Sequence, residues 1–187
     1  RAIAGVDRMT ELVDQLLDHS RLASGQLDLD VSGMDLSSTI AATIAAHVSE
    51  APARITFERP PGPVQIDGDA VRIAQIVHNL LSNALKYSVG ASTVDVSLTT
   101  DGVEAKVSVT DHGVGIPEAE RAFLFTPFYR TTRTRAIRGT GLGLVISRKL
   151  AERHGGRLWL GESASTGSTF VLTLPLAREG PPPARSN

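Results

Sequence analysis

Asn79 and Asn83 stand four residues apart, one helical turn, with Lys86 and Tyr87 following them. A carboxamide oxygen is a hard ligand suited to Mg²⁺, which keeps several waters and takes few protein ligands. Lys86 could meet a phosphate as a point charge, and Tyr87 could flank a base. Downstream, Asp111 opens a turn containing Gly113 and Gly115. A buried carboxylate beside a flat pocket can accept from the exocyclic amine of adenine. Guanine presents a carbonyl there and would leave the carboxylate unsatisfied, at about 1–3 kcal/mol. The glycines let backbone approach a ring closely. Further on, Gly139, Gly141 and Gly143 alternate just before a helix, where main-chain amides bind phosphate without side-chain help.

Each pattern also has an ordinary structural explanation. Two Asn side chains can hydrogen-bond neighbouring backbone, Asp111 can be a turn aspartate after a strand, and the glycines can be a flexible entry to a helix. The glycine spacing G-x-G-x-G is neither the dinucleotide fingerprint nor a Walker A loop. Arg130, Arg133, Arg135 and Arg138 precede it; they read either as a solvated face or as an anion-seeking cluster. Phe125, Pro127 and Phe128 bring aromatics into a chain that is only 4% aromatic, as core or as the anchor of a closing loop. His19, His47, His78, His112 and His154 are scattered and form no HExxH motif.

Composition narrows the classes. The 187 residues suit one domain plus an appendage, and a body of about 150 residues can bury roughly 68–70% of its unfolded surface. There is no Cys, so neither disulfides nor thiolate metal sites arise. A net charge of −1 gives no electrostatic case for nucleic acid or an anionic membrane. No apolar run approaches the roughly 18 residues of a membrane span, and no signal-peptide pattern opens the chain. Because it starts at Arg1, the chain is expected to be a piece of a longer protein.

These candidate groups need elements to hold them. Residues Ala2 to Ser24 are expected to form one amphipathic helix with Val6, Met9, Val13 and Leu16 in a 3-4-3 seam widened by Ile3, Leu12 and Leu17, stopping near Gly25 and seeking a second helix or second chain. Gln26 to Val31 alternates like an edge strand. Asp35 or Ser37 can cap a helix to about Glu50. Arg54 to Glu58 and Val64 to Ile66 read as short strands around the PPGP turn. Asp69 to Tyr87 carries an apolar face of Val71, Ile73, Ile76, Val77, Leu80, Leu81, Ala84 and Leu85. Thr93 to Thr100 and Val103 to Asp111 read as a hairpin closed at Asp101-Gly102. Pro117 to Phe125 reads as a short helix, Arg130 to Arg138 as polar chain and Gly141 to His154 as a helix. Arg157 to Gly161 and Ser168 to Leu174 read as strands, and the Pro-rich tail after Ala177 as disordered. The mixture without strict alternation predicts one mixed sheet covered by helices on one face.

Taken together and in order, NLLSNALKY (79–87), DHGVGI (111–116), FTPFYR (125–130) and GTGLGL (139–144) resemble the N, G1, F and G2 boxes of bacterial two-component sensor histidine kinases. The likeness covers about residues 27 to 176, and the opening MTELVDQLLDHSRLASGQL is similar to the second helix of the family's dimerisation and histidine-phosphotransfer domain. The resemblance implies a Bergerat-type two-layer α/β sandwich, about five strands under about three helices, that binds Mg·ATP. It implies domains at 1–25, 26–177 and a tail at 178–187.

On this resemblance Asn83 is the Mg²⁺ ligand with Asn79 as companion, Lys86 contacts phosphate, and these three form the catalytic set. Asp111 takes the adenine amine, with Gly113 and Gly115 shaping the pocket; Arg130 and Arg135 approach the phosphates; Gly139, Gly141 and Gly143 form the hinge and cradle. Tyr87, Ile116, Phe128, Thr140, Leu142 and Leu144 lie within the same boxes and are expected at the nucleotide. The implied partners are a response-regulator receiver domain and a second copy through the helical bundle, with no nucleic acid. The implied location is cytoplasmic, with any membrane anchor in segments absent here.

Two departures stand out: His112 replaces the usual Asn, and the segment from Tyr129 to Gly139 is short. The family's acceptor histidine is missing, since His19 is followed by Ser20-Arg21. It is expected upstream, so the chain should bind ATP without phosphorylating itself. The competing readings are an ATP-hydrolysing relative, which would carry a Glu where Asn79 stands, and a non-catalytic ATP-binding or dimerisation module.

Overall fold

The computed structural model describes residues 13, 16–18, 20–22, 24–48, 54–88, 93–132, 139–164 and 166–177. Its elements are β1 (Ser32–Asp35), α1 (Leu36–Val48), β2 (Ile55–Glu58), β3 (Gln65–Gly68), α2 (Ala70–Tyr87), β4 (Val94–Thr100), β5 (Glu104–Asp111), α3 (Glu118–Arg121), α4 (Gly143–Arg153), β6 (Arg157–Ala164) and β7 (Gly167–Pro175).

α2 begins where Asp69 stops the chain from continuing as strand: its side chain accepts from the amides of Val71 (3.0 Å) and Arg72 (3.1 Å). The helix then buries Ile73, Ile76, Val77, Leu80, Leu81 and Ala84, a 3.6-period stripe. Val71 does not belong to that stripe; two residues before Ile73 puts it on the far side of the helix, 75% exposed. Helix α1 is capped by Asp35, whose carboxylate accepts from the amides of Ser37 (3.1 Å) and Ser38 (3.2 Å). It buries Leu36, Ile40 and Ile44 at i, i+4 and i+8.

The five-stranded sheet runs β2-β4-β5-β7-β6, parallel only between β2 and β4. The β4–β5 hairpin closes as the sequence predicts: the Asp101 carboxylate accepts from Val103 (2.9 Å) and Glu104 (2.8 Å). Helices α1, α2 and α4 pack on the sheet as a two-layer sandwich, with α2 between the other two and over β5. Fully buried Ile73, Ile76, Leu80 and Leu81 meet Leu98, Val107 and Leu172 in one cluster. Truncating any of these large side chains to Ala costs about 2–5 kcal/mol.

Some expectations change. The edge strand expected over 26–31 is instead unpaired extended chain, and the strand is Ser32–Asp35. The alternation there reflects burial of Leu27 and Leu29 against the core, while Val31 is 54% exposed. The segment is held by other means: Arg153 donates to the Leu27 carbonyl, and the Asp30 amide donates to Asp69 Oδ2 at 3.1 Å. The strands on either side of PPGP exist but do not pair; β2 joins the main sheet beside β4, while β3 pairs antiparallel with β1 as a separate ribbon. The expected helix from Pro117 to Phe125 is one turn, Glu118–Arg121, continued by turns.

Residues 13, 16–18 and 20–22 are helical, and the helix ends at Gly25 with a Gln26 amide to Arg21 carbonyl bond of 2.9 Å. Leu22 enters the core, whereas Val13, Leu16 and Leu17 are about half exposed. Asp18 grips α2 through Arg72 Nη1 (3.0 Å) and Gln75 Nε2 (2.8 Å). The expected seam through Ile3, Val6, Met9 and Leu12, the arginines at 133, 135 and 138, and the tail from 178 lie outside the described residues. Among the described residues, no helix is long and apolar enough to cross a membrane.

Candidate functional site

The sequence-predicted groups converge around the C-terminal half of α2. Asn79, Asn83 and Lys86 project from its last three turns, and Tyr87 closes it. Asp111 ends β5, and the turn after it crosses back over α2: Gly113 makes an isolated antiparallel bridge with Ser88. Only glycine fits there, because a β-carbon on Gly113 would stand 2.1 Å from the Tyr87 carbonyl oxygen. That contact sets the distance between the Asp111 turn and the Asn83–Lys86 turn of the helix.

Asp111 is 6% exposed and accepts from the Gly113 amide at 2.9 Å. Burial pushes its carboxyl above the ordinary value; the amides of Gly113 and Ser168 and the neighbouring His112 offset only part of that. The carboxylate is therefore buried while still having capacity to accept, the electrostatics of a group awaiting a donor. The loop beyond it is braced from the other side. Arg121 donates to the Ser163 carbonyl (2.7 Å) and the Ile116 carbonyl (3.3 Å), and the Ile116 amide donates to Ser163 Oγ (3.3 Å).

His112 reaches instead to β4, the strand next to β5 in the sheet. Its Nε2 lies 2.7 Å from Asp95 Oδ2, and Asp95 also accepts from Thr56 Oγ1 at 2.8 Å. The hydrogen bond from His112 holds the Asp95 carboxyl below its ordinary value.

At the other end, Gly139, Thr140, Gly141 and Leu142 lead into α4, whose first residue is Gly143. Leu142 is buried in the core and Leu144 packs against it. The Thr140 hydroxyl accepts from the Leu142 amide at 3.2 Å, but no side chain caps α4 itself. Its first amides are thus available to an anion. A β-carbon on Gly139 would lie 3.9 Å from Lys86 Nζ, which places the ammonium beside this loop. Gly141 adopts φ +76°, and its carbonyl accepts from the Phe128 amide at 3.1 Å. Phe128 itself holds φ +64° and is 62% exposed, so it is not core. A non-glycine residue there costs about 1–2 kcal/mol. Phe125 instead packs on the core, with the Arg148 guanidinium 5.0 Å above its ring. Arg130 is half-buried, between residues that Glu120 holds: the Glu120 carboxylate accepts from Tyr129 Oη (3.3 Å) and the Thr132 amide (2.9 Å).

The donor chemistry fits a magnesium nucleotide. Among the described residues no group of three or more His, Asp or Glu side chains is placed for a metal. A cation at α2 would rest on the carboxamide oxygens of Asn79 and Asn83 and on oxygens it brings with it, as Mg²⁺ on a polyphosphate does. A Gly143 side chain would fill the space beside Asn79, since a β-carbon there would be 2.2 Å from Asn79 Oδ1.

Several participants were not singled out from sequence. Ser147, 2% exposed, accepts from Asn79 Nδ2 at 2.9 Å; its signal was a polar residue on the same helix stripe as Val145, Ile146, Leu150 and Ala151. Glu120, Arg121 and Ser163 gave no signal in the sequence, because the bonds Tyr129–Glu120, Arg121–Ser163 and Ile116–Ser163 span 9, 42 and 47 residues.

Comparison with known proteins agrees with this geometry. The family described as histidine kinase-, DNA gyrase B-, and HSP90-like ATPase matches residues 68–178, more than half of the chain. The sensor-like histidine kinase SenX3 of Mycolicibacterium smegmatis is 31% identical over 94% of this chain and 47% of its own length. The signal transduction histidine-protein kinase/phosphatase MprB of Mycobacterium sp. (strain KMS) is 36% identical over 92% of this chain and 34% of its own. The chain thus spans less than half the length of these relatives. Among solved structures, the mycobacterial sensor histidine kinase MprB superposes with a TM-score of 0.67 at 30% identity, covering 78% of this chain and 97% of that one. Full-length ShkA in complex with AMPPNP superposes with a TM-score of 0.79 at 26% identity over 94% of this chain and 37% of that one. With its five-stranded mixed sheet, its helices on that sheet and the four boxes around α2, the chain belongs to the family of histidine kinase-, DNA gyrase B- and HSP90-like ATPases and stands within it among the sensor histidine kinases.

Proposed function

We propose that the chain is the ATP-binding catalytic half of a sensor histidine kinase. It would position Mg·ATP so that the γ-phosphoryl moves to a histidine on a helical bundle and from there to an aspartate of a response-regulator receiver domain. Residues 26–177 would form this half, residues 1–25 would be the second bundle helix through which two copies dimerise, and 178–187 a tail. Any membrane anchor would lie outside the chain, leaving this part in the cytoplasm.

The site then works by positioning and charge neutralisation, which supply most of the catalysis in phosphoryl transfer. Asp111 accepts from the adenine amine, in a pocket shaped by Gly113, Gly115 and Ile116 with Tyr87 and Phe128 at its margin. Asn83, with Asn79 beside it, would hold Mg²⁺, which would supply charge neutralisation at the phosphates. Lys86, Arg130 and Arg135 meet the phosphates, and the amides from Gly139 through Leu144 cradle them at the open start of α4.

The observation that carries transfer over hydrolysis is Asn79. The side chain pressed against the start of α4 is a neutral carboxamide, a poor general base for activating water. The test is to mix the chain with ATP and a separately produced histidine-bearing bundle from a sensor kinase. Acid-labile labelling of the bundle is expected, with none on the chain alone. Rapid phosphate release in the absence of the bundle would overturn the proposal in favour of a hydrolase.

A further inference from the structure

We infer that Ser147 is a positioning residue for the metal end of the site. It acts through Asn79, and Gly143 is the residue that makes room for the arrangement. This rests on the proposed Mg·ATP site.

Three observations converge. Asn79 and Ser147 are 68 residues apart in sequence, yet Asn79 Nδ2 donates to Ser147 Oγ at 2.9 Å across the α2–α4 contact. Ser147 is 2% exposed, so no water competes for that hydroxyl. A β-carbon on Gly143 would lie 2.2 Å from Asn79 Oδ1, 2.8 Å from Cγ and 2.9 Å from Nδ2. The carboxamide therefore lies against the first turn of α4, with its nitrogen engaged by Ser147 and its oxygen the atom nearest Gly143.

A carboxamide has one acceptor end and one donor end. If the donor end turned toward a cation, the amide would repel it. A bond from Nδ2 to a buried hydroxyl fixes which end is which, as an outer partner does for a metal-ligating His, where its loss costs about 10- to 100-fold in metal affinity. Gly143 is not needed for backbone freedom: it is helical, and Ala would be the better helix former by about 1 kcal/mol. The missing side chain is explained by the carboxamide that occupies its space.

The experiment uses the whole chain and titrates Mg²⁺ against binding of a non-hydrolysable ATP analogue, with thermal unfolding as the check on folding. In Ser147→Ala the Mg²⁺ concentration at half-effect should rise about 10-fold, while analogue affinity without Mg²⁺ stays within about twofold. Gly143→Ala, which leaves the Ser147 hydroxyl in place but displaces the carboxamide, should also raise the Mg²⁺ midpoint in protein that thermal unfolding shows to be folded. An unchanged Mg²⁺ midpoint in both variants would overturn the inference, and so would equal losses of affinity with and without Mg²⁺, the mark of a merely structural role. If wild-type binding of the analogue proves indifferent to Mg²⁺, the proposed site itself fails, an outcome separate from either.

Discussion

Asp69 and Asp111 are buried to nearly the same degree, 8% and 6% exposed, and their acidities move in opposite directions. Around Asp69, burial opposes ionisation, but the amides of Arg72, Asp30 and Val71, helped by the Arg72 guanidinium, outweigh it and hold the carboxyl below its ordinary value. Around Asp111, burial prevails: its carboxyl lies deeper among protein atoms than that of Asp69, and the amides of Gly113 and Ser168 with the neighbouring His112 offset only part of that. One carboxylate is committed to the fold: it caps α2 and ties down the segment before β1. The other is engaged by the fold only through the amides of Gly113 and Ser168, and on the proposed function it takes an external donor as well. Low surface exposure alone therefore does not mark a functional carboxylate; the depth of the carboxyl and its internal partners together do.

That contrast can be attacked from both sides. The largest effect is expected from Asp111→Asn, which keeps the shape but loses the charged acceptor. Adenine-nucleotide affinity, measured by calorimetry, should fall about 10- to 100-fold; an unchanged affinity would remove Asp111 from the site. Asp69→Ala should do the reverse. Losing the cap costs about 1–2 kcal/mol of stability, or about 2–8 °C in Tm for a chain of this size, while nucleotide affinity of the folded protein stays within about twofold.

The pH dependences should have opposite signs. Asp69 titrates lower in the folded state than in the unfolded one, so its contribution is full above the unfolded carboxylate value of about 4. It is lost as the pH falls through the folded value, and the deficit of Asp69→Ala should shrink below about pH 4. Asp111 titrates higher in the folded state, so its contribution is favourable in acid and declines as the pH rises through the folded value. The stability of Asp111→Asn relative to wild type should therefore improve as the pH rises above about 4. Denaturant melts on both sides of that pH decide both. A third carboxylate, Asp95, pairs with His112 where both are nearly half exposed. His112→Ala should change stability by no more than about 0.5 kcal/mol, the smallest effect of the set.

The comparison also separates what could be read in the residues from what could not. The stripe of α2, its capping Asp69, the hairpin at Asp101-Gly102 and the glycine approach to α4 rest on contacts within a turn or two of chain, and all were legible. The clustering of Asn79, Asp111 and Gly141 was legible only through the order of the boxes, since nothing local relates them. The separate β1–β3 ribbon, the Val31 and Val71 exposures and the shortness of α3 depend on which neighbours the finished fold supplies. Partnerships such as Asn79 with Ser147, Arg121 with Ser163 and Asp95 with His112 join residues that local periodicity cannot connect. The last of these gives His112, which stands where the G1 box usually has Asn, a partner on β4.

The bridge between Ser88 and Gly113 has a thermodynamic consequence. Because it fastens the Asp111 turn directly to the end of α2, the proposed base pocket and the Asn79–Lys86 face of the helix are held at a fixed separation. A ligand that reaches both surrenders its translational and rotational entropy once, whereas adenosine and inorganic phosphate offered separately must each surrender it. The two fragments together should bind far less tightly than the nucleotide that joins them, by the factor called an effective molarity. On this view the covalent link within the ligand is part of what the fold recognises.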